Sequence, residues 1–162
     1  MTFVTRSRFP IRKYRQVVSN KTHADVLLMT LKRNVMVVDD DALVHLISKR
    51  ILAAYACVNN VYSAYNGKEA LEILHQGCEG AMNLPAVVLL DLHMPIMNGF
   101  QFFSEVKEME CLKDSKLVTI MFSSTLDPAD IEQAQSLGID YFFSKPILLE
   151  KIESVFRKEF TS

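Results

Sequence analysis

From residue 34 onward, short apolar runs alternate with longer amphipathic stretches, and this alternation occurs five times. Short runs rich in β-branched residues are typical of buried strands, whereas longer amphipathic stretches are typical of helices that pack on a sheet. Strands that alternate with helices predict a parallel sheet with both faces covered. The predicted fold class is therefore α/β, a doubly wound five-stranded parallel sheet with strands at 35–39, 60–64, 86–91, 117–122 and 141–143.

Five helices are predicted between and after these strands, and several of their ends carry capping signals. Asp41 and Asp127 are placed to cap the first and the fourth helix, and Pro128 stands at the first helical position of the fourth. Gly77 and Gly138 are expected to end the second and the fourth helix, because glycine adopts the left-handed conformation that often follows a helix. The helix ends therefore support the same alternation as the apolar runs.

Residues 1–33 differ in charge from the rest of the chain. They contain eight Lys and Arg residues and one Asp, a net charge of +7, whereas the remainder carries 10 basic and 18 acidic residues, a net charge of −8. Such an arm is able to bind a nucleic acid, an anionic membrane or the acidic domain itself. We expect a basic N-terminal extension over 1–33 that is poorly ordered or not part of the native protein, and one domain over 34–162. No further domain is expected after it.

The cysteines and the apolar runs predict a compartment. Cys57, Cys78 and Cys111 are odd in number, far apart and without a CxxC motif or a histidine at metal-binding spacing, so we expect three reduced thiols. Reduced thiols favour the cytoplasm. The longest apolar runs are far shorter than the roughly 20 residues that cross a bilayer, so no membrane-spanning helix is expected.

Acidic, hydroxyl and basic side chains follow the apolar strands, at the point where each strand ends. Asp39 and Asp40 come at the end of strand 1, Asp91 ends strand 3, Ser123 follows strand 4 and Lys145 follows strand 5. The carboxyl ends of parallel strands share the edge at which doubly wound sheets bind ligands. Carboxylates that gather there repel one another unless a cation lies among them. The residues therefore predict a site for a hard divalent cation, with Mg2+ as the expected cofactor and Mn2+ as an alternative.

Asp91 is the candidate nucleophile of this edge. With a divalent cation and an ammonium group nearby, an ionised carboxylate is able to attack phosphorus, because the charge on a transferred phosphoryl group needs positive partners. Lys145 is expected to pair with the phosphoryl oxygens, and Ser123 is expected to donate a hydrogen bond to one of them. The product would be an aspartyl phosphate.

Four sequence motifs occur in order at the strand ends: VMVVDDD, LLDLHMPIMNG, MFSS and FFSKPI. Together they resemble the receiver domain of two-component response regulators, in particular the single-domain, chemotaxis-regulator-like members, over residues 34–160. The resemblance implies a three-layer α/β/α fold with the flavodoxin-like strand order 2-1-3-4-5 and a cis bond between Lys145 and Pro146. It also implies one role for each matching position. Asp91 would be the phosphoacceptor, and Asp39, Asp40, Asp91 and the main-chain carbonyl of His93 would hold the metal. Lys145 would pair with the phosphoryl group, Ser123 would be the hydroxyl switch and Phe142 the aromatic switch.

Some of these residues also have simpler interpretations. Asp41 is interpreted as a helix cap and not as a metal ligand. Phe142 suits a core position as well as a switch, and Ser123 suits an ordinary strand end. The His93 ring is expected to face solvent, where it would influence water access to the acyl phosphate, because Mg2+ prefers oxygen ligands. The other three histidines have no matching partners in the sequence and receive no role.

Three rival functions compete with this one. A hydrolase of the haloacid dehalogenase type also uses an aspartate after an apolar strand, but it needs a second acid two residues later, where His93 stands. A Walker-type NTPase needs a G-x-x-x-x-G-K-[ST] loop, which the chain lacks. A degenerate receiver that only binds partners would have lost one of the key residues, yet all of them are present: Asp39, Asp40, Asp91 and Lys145.

The sequence therefore predicts a phosphoacceptor switch of a two-component or phosphorelay system. Its donor would be a sensor histidine kinase or a histidine phosphotransfer protein, and its output a protein contact through the face of helix 4, strand 5 and helix 5. We expect no enzyme activity beyond self-phosphorylation from phosphodonors and slow autodephosphorylation. We also expect no binding to nucleic acid and no membrane insertion. Whether the chain is a final effector or a relay intermediate stays open.

Overall fold

The computed structural model describes residues 32–160, in which five strands and five helices alternate. Most of the predicted basic extension lies outside the described residues, and Arg33 already belongs to the first strand. The strands are β1 (Arg33–Val38), β2 (Val58–Ala64), β3 (Val87–Asp91), β4 (Val118–Ser123) and β5 (Tyr141–Ser144). The helices are α1 (Ala42–Ala53), α2 (Gly67–Cys78), α3 (Gly99–Glu108), followed by a 3-10 helix (Glu110–Leu112), α4 (Pro128–Leu137) and α5 (Leu149–Phe160). Within residues 32–160, no helix has the length and apolar character needed to cross a membrane.

The five strands form one parallel sheet in the order β2-β1-β3-β4-β5. The predicted α/β fold and its strand order are therefore confirmed. After β1 the chain forms β2, the outer strand on one side of β1, and it then crosses back to form β3 on the other side of β1. This change of direction between β1 and β3 is the switch point at which doubly wound sheets bind their ligands.

Each face of the sheet is covered by helices and has its own apolar core. On one face, α2, α3 and α4 contribute the buried side chains of Leu74, Phe102 and Ala134. On the other face, α1 and α5 contribute Leu52 and Phe156. The central strands need apolar side chains on both sides, which explains why β1, β3 and β4 are apolar in most positions instead of alternating.

Most of the helix ends follow the local signals in the sequence. Asp41 and Asp127 cap α1 and α4 by accepting hydrogen bonds from main-chain N–H groups two residues later. Gly138 ends α4 with a φ of 77°, which favours glycine. The prediction that Gly77 ends α2 is wrong, because the helix continues to Cys78. A Cβ atom at Gly77 would lie 2.5 Å from the Leu84 side chain, so this glycine allows a close approach and does not stop the helix.

The cysteines also differ from expectation. The prediction of three reduced thiols is wrong for two of them, because Cys78 and Cys111 form a disulfide, while Cys57 is free and buried. Cys78 is the last residue of α2, Cys111 lies in the 3-10 helix after α3, and their positions are 33 apart in the sequence. The packing of α2 against α3 brings the two residues together, and no local sequence pattern predicts that they are close in space.

Candidate functional site

The carboxyl ends of the strands bring charged and polar residues to one edge of the sheet. β1 and β3 pair directly, so Asp39, which follows β1, and Asp91, which ends β3, lie on neighbouring strands. β5 pairs with β4, and the main-chain N–H of Lys145 donates to the Ser123 carbonyl at 2.8 Å. The structure thus assembles residues that are far apart in the sequence.

The Lys145 ammonium group lies between two buried carboxylates. Its Nζ atom donates to Asp39 Oδ2 at 2.7 Å and lies 3.0 Å from Asp91 Oδ2. The Asp39 and Asp91 side chains are only 2% and 5% exposed, whereas Lys145 keeps 22% of its side-chain surface exposed. The Lys145–Pro146 peptide bond is cis, which confirms that expectation. Two negative charges and one positive charge are therefore placed where water is scarce.

The titration of this cluster reflects its burial and its charges. Burial raises the pKa of the Asp91 carboxyl above its ordinary value, and the hydrogen bond and charge of Lys145 oppose that rise without cancelling it. Burial by itself would lower the pKa of Lys145, but the hydrogen bonds and charges of Asp39 and Asp91 outweigh burial and raise that pKa. Lys145 therefore keeps its charge, and one more cation at this place would favour the ionised form of Asp91.

Asp39, Asp40 and Asp91 offer carboxylate oxygens that all lie within 4.8 Å of one another. Asp40 is exposed while the other two are buried, so the group opens to solvent on one side. A set of oxygen ligands suits a hard divalent cation such as Mg2+, which binds one or two carboxylates and keeps several waters. These residues fit the metal that the sequence predicts. Asp41 points to a different use, because its carboxylate caps α1 while its N–H donates to Asp39 Oδ1 at 3.0 Å.

The loop after β3 returns closely to the main chain that carries Asp91. The N–H of Gly99 donates to the Leu92 carbonyl at 2.9 Å, and a Cβ atom at Gly99 would lie 2.7 Å from the Asp91 carbonyl oxygen. Glycine is therefore the residue that fits here without moving that main chain. Asn98 and Gln101 form a reciprocal capping box that starts α3. These contacts give a physical reason for the Asn98-Gly99 sequence at the start of α3.

Three other predicted residues lie around this group. Ser123 is fully buried, and its hydroxyl oxygen accepts a hydrogen bond from the Thr125 N–H at 3.2 Å. Phe142 on β5 is half-buried and lines a cavity of about 410 Å³ beside α4. The His93 side chain is 63% exposed, and its Nε2 atom lies 4.0 Å from Asp130 on α4. The roles that were predicted for these three residues remain predictions.

His45 is a buried residue of this edge that sequence reasoning left without a role. Its Nε2 atom lies 2.7 Å from the main-chain oxygen of Asp39, and its Nδ1 atom lies 3.1 Å from the Ser63 hydroxyl. His45, Ser48 and Leu52 are the buried residues of α1, and their i, i+3, i+7 spacing is a signal for an inward helix face. That spacing predicts burial of the ring but not its contact with Asp39.

The chain is similar in sequence to known proteins. The family model described as the response regulator receiver domain matches residues 35–157. The chain is 32% identical over 128 residues to the two-component response regulator ARR17 of Arabidopsis thaliana, covering 75% of this chain and 81% of that protein. It is also 32% identical over 126 residues to a protein of Guillardia theta named "Probable transcriptional regulator ycf27", covering 78% of this chain. The chain spans 44% of the length of that second relative.

A solved structure agrees with these relatives. The crystal structure of a two-component response regulator from Cytophaga hutchinsonii is 26% identical in sequence and has a TM-score of 0.69. The similarity covers 78% of this chain and 96% of that one. The sheet and helices described above therefore correspond to nearly the whole of that structure.

Proposed function

The chain belongs to the response regulator receiver family, and we propose that it works as the phosphoacceptor switch of a two-component or phosphorelay pathway. One observation carries the proposal: Lys145 lies between the buried carboxylates of Asp39 and Asp91 at the switch point of the sheet. Asp40 completes the acidic group. A carboxylate that already faces an ammonium group is suited to take up a phosphoryl group, because the phosphoryl oxygens need positive partners.

Asp91 would take the phosphoryl group from a phosphohistidine. A carboxylate oxygen of Asp91 attacks phosphorus, a P–O bond forms while the P–N bond to the imidazole breaks, and the electron pair of that bond stays on the imidazole nitrogen. Lys145 then donates to the phosphoryl oxygens in place of the Asp91 oxygen that has reacted. The Ser123 hydroxyl uses its oxygen to accept from Thr125, so its own hydrogen remains available for a phosphoryl oxygen.

Mg2+ is the cofactor that we propose, with Mn2+ as an alternative. Asp39, Asp40, Asp91 and the main-chain carbonyl of His93 would hold it. When bound, the divalent cation supplies positive charge that stabilises the phosphoryl oxygens and the ionised form of Asp91. The clustering of three carboxylates within reach of one ion supports this assignment.

The phosphodonor is proposed to be a sensor histidine kinase or a histidine phosphotransfer protein that covers the α1 side of the site. Leu43 and Leu46 on α1 are large and apolar, yet they are 57% and 65% exposed. Next to them, Ser48 and Lys145 line a cavity of about 400 Å³, and the buried Ser48 hydroxyl has no hydrogen-bond partner within residues 32–160. An apolar surface beside the acceptor suits a protein that brings its phosphohistidine to Asp91.

The output is proposed to be a protein contact on the face formed by α4, β5 and α5. The cavity lined by Phe142 is also lined by Ile131 and by Leu126, which is 55% exposed. Phosphorylation would draw the Ser123 hydroxyl towards Asp91 and let Phe142 move into the vacated space, so the face would change shape. Phosphotransfer profiling against histidine kinases and phosphotransfer proteins distinguishes a final effector from a relay intermediate.

We also propose that residues 34–162 form the signalling domain and that the chain acts in the cytoplasm without binding nucleic acid. Its own chemistry would be self-phosphorylation from phosphodonors and slow loss of the phosphoryl group. The Cys78–Cys111 disulfide removes the support that three reduced thiols gave to the cytoplasm, because a disulfide is uncommon in a reducing compartment. The oxidation state of Cys78 and Cys111 in intact cells, measured by alkylation and mass spectrometry, is therefore a direct test of the cytoplasmic assignment.

Transfer of label from acetyl [32P]phosphate in the presence of Mg2+ tests the acceptor assignment. Asp91→Asn should reduce labelling of the full chain by at least about 100-fold, because an amide does not replace the carboxylate nucleophile. The matched control is Asp41→Asn, which should be labelled like the wild type, because asparagine caps α1 as well as aspartate does. Wild-type labelling of Asp91→Asn, or an equal loss in Asp41→Asn, would show that the acceptor is wrongly assigned.

A further inference from the structure

We infer that His45 is a positioning residue of the phosphoacceptor site, which acts through the peptide group between Asp39 and Asp40. The inference rests on the proposed function, because it concerns how the two acids are held for a metal ion and a phosphoryl group. His45 lies on α1 and is 3% exposed, and its imidazole packs against the Tyr65 ring at a centroid distance of 4.4 Å. It is a buried polar ring that the proposed mechanism has not yet used.

The direction of one hydrogen bond of His45 follows from its partner. A carbonyl oxygen only accepts, so the Nε2 atom, 2.7 Å from the Asp39 oxygen, must carry a hydrogen. On the other side of the ring, Nδ1 lies 3.1 Å from Ser63 Oγ, which is able either to donate or to accept. The bond to Asp39 is therefore present in the neutral Nε2–H form and in the imidazolium alike. The contact does not depend on the charge of His45.

The Asp39 carbonyl belongs to the peptide group that joins the two acids. A peptide group is planar, so a bond that holds its oxygen also holds the plane and the direction in which the chain enters Asp40. The strand ladder no longer provides this restraint, because β1 ends at Val38. His45 thus fixes the orientation of Asp40 relative to Asp39. Its two hydrogen bonds go to the Asp39 main-chain oxygen and to Ser63, and not to a carboxylate.

The other polar groups of Asp39 already have partners. Its N–H donates to the Ala64 carbonyl at 3.1 Å, Oδ1 accepts from the Asp41 N–H at 3.0 Å, and Oδ2 accepts from Lys145. The carbonyl is the remaining group, and His45 is its partner. Without this donor, a buried acceptor would lack a hydrogen bond, and the peptide plane would turn to find one.

A turned peptide plane would disturb the acidic group. The carboxylates of Asp39, Asp40 and Asp91 have oxygens within 4.8 Å of one another in the present arrangement. Asp40 is the exposed member, so its position depends most on the direction of its main chain. Residues that orient metal-binding groups from behind typically change metal affinity by about 10- to 100-fold when they are substituted.

Two amide substitutions separate the two bonds of His45. A glutamine places its amide nitrogen near the Nε2 position and keeps a donor for Asp39, whereas an asparagine reaches only the Nδ1 position and keeps the Ser63 contact. We expect His45→Asn to raise the Mg2+ dissociation constant of the full chain by about tenfold and His45→Gln to raise it by less than about threefold. Titration calorimetry measures this constant. His75→Asn, at an exposed histidine of α2, is the control and should leave it unchanged.

The outcomes distinguish this inference from the proposed function. If folded His45→Asn and His45→Gln both bind Mg2+ like the wild type, or both lose affinity equally, the inference is overturned. If the wild type neither binds Mg2+ nor takes label from acetyl phosphate, the proposed function itself fails. Should His45→Asn lack a cooperative thermal transition, NMR of the wild type decides: the His45 Nε2 signal should shift with the Asp40 amide during Mg2+ titration, and a constant Nε2 signal overturns the inference.

Discussion

At the carboxyl ends of the strands, Lys145 lies between two buried carboxylates, whereas at the amino ends a disulfide and a partly exposed ion pair connect the elements. The helices return antiparallel to the strands, so Cys78 and Cys111, at or just beyond the ends of α2 and α3, lie on the amino side. On the same side, Lys116, which precedes β4, pairs with Glu159 near the end of α5 at 3.1 Å.

The carboxyl ends of the strands (the carboxyl edge) and their amino ends (the amino edge) differ in how their contacts affect the stability of the fold. The carboxyl edge collects like charges where water is scarce, an arrangement that destabilises the fold unless cations compensate. At the amino ends, the paired side chains of Lys116 and Glu159 are 58% and 23% exposed, and a covalent bond joins two helices. The amino ends therefore carry the covalent cross-link and the carboxyl ends carry the charged cluster. Mutations at the two ends should respond to different conditions: reductants at the amino ends and divalent cations at the carboxyl ends.

The largest change in stability is expected from the disulfide at the amino edge. Cys78→Ser with Cys111→Ser should lower the free energy of unfolding by about 3–4 kcal/mol without reductant, because the bond closes a loop of 33 residues in the unfolded chain. Urea unfolding measures this difference. With dithiothreitol, the wild type should fall to the level of the double variant. Three reactive thiols in denatured, unreduced protein, instead of the one from Cys57, would contradict the prediction.

Lys145→Met is the corresponding change at the carboxyl edge. It leaves two buried carboxylates without their cation, a loss worth about 3–5 kcal/mol for a fully buried pair and about 2 kcal/mol here, because Lys145 is partly exposed. Unfolding in EDTA and in millimolar Mg2+ tests this, and Mg2+ should stabilise the variant more than the wild type. Lys113→Met, whose partner Glu110 is 83% exposed, is the control and should lose less than about 0.5 kcal/mol. Equal losses in both variants would remove the contrast between the edges.

Two glycines, one at each edge, allow a matched comparison of packing. A Cβ atom at Gly99 would meet the Asp91 carbonyl oxygen, whereas a Cβ atom at Gly77 would meet the flexible end of Leu84. Gly99→Ala is therefore expected to cost about 1–3 kcal/mol and to slow phosphoryl uptake from acetyl phosphate. Gly77→Ala should cost less than about 1 kcal/mol, because alanine favours the helix. If Gly77→Ala lowers the free energy of unfolding more than Gly99→Ala does, the contact of Gly99 with the main chain is not the more restrictive of the two.

Apart from the control variants, the smallest effect is expected from the partly exposed pair of Lys116 and Glu159. The Tyr141 hydroxyl, followed by the Lys116 ammonium, holds the pKa of Glu159 below its ordinary value. A carboxylate with a lowered pKa stabilises the folded state above its unfolded pKa of about 4.3, and this contribution is lost as the pH falls through the folded pKa. Glu159→Gln should therefore cost less than about 1 kcal/mol at pH 7 and nothing at low pH, since solvent screens the pair. A loss that persists at low pH would point to packing instead of charge.

The fold could be predicted because its signals are local. Apolar periodicity located all five strands, and the caps at Asp41 and Asp127 marked helix starts. Boundaries were less accurate where tertiary contacts decide them. β2 begins two residues before its predicted start, and the side chains of Asn59 and Asn60, which interrupt its apolar pattern, donate to the buried Asn34 side chain on β1. A polar pair inside a strand is understandable only once its partner is known.

The candidate site could be assembled from the sequence for a different reason. Parallel strands place their carboxyl ends on one edge, so topology alone brings Asp39, Asp91 and Lys145 near one another. The same rule says nothing about residues that approach from a helix. His45 was therefore missed, although its spacing on α1 indicates that it is buried.

By itself, the sequence determined the order of strands and helices along the chain and the main helix caps, because these depend on residues within a few positions of one another. It also determined which acids, and which lysine, stand at the strand ends, because the carboxyl ends of parallel strands meet on one side of the sheet. Only the tertiary structure decided that Cys78 bonds to Cys111 and that His45 holds the carbonyl between Asp39 and Asp40. Both contacts arise when a helix packs against another element, and helical spacing indicates that a residue is buried without specifying which residue lies opposite it.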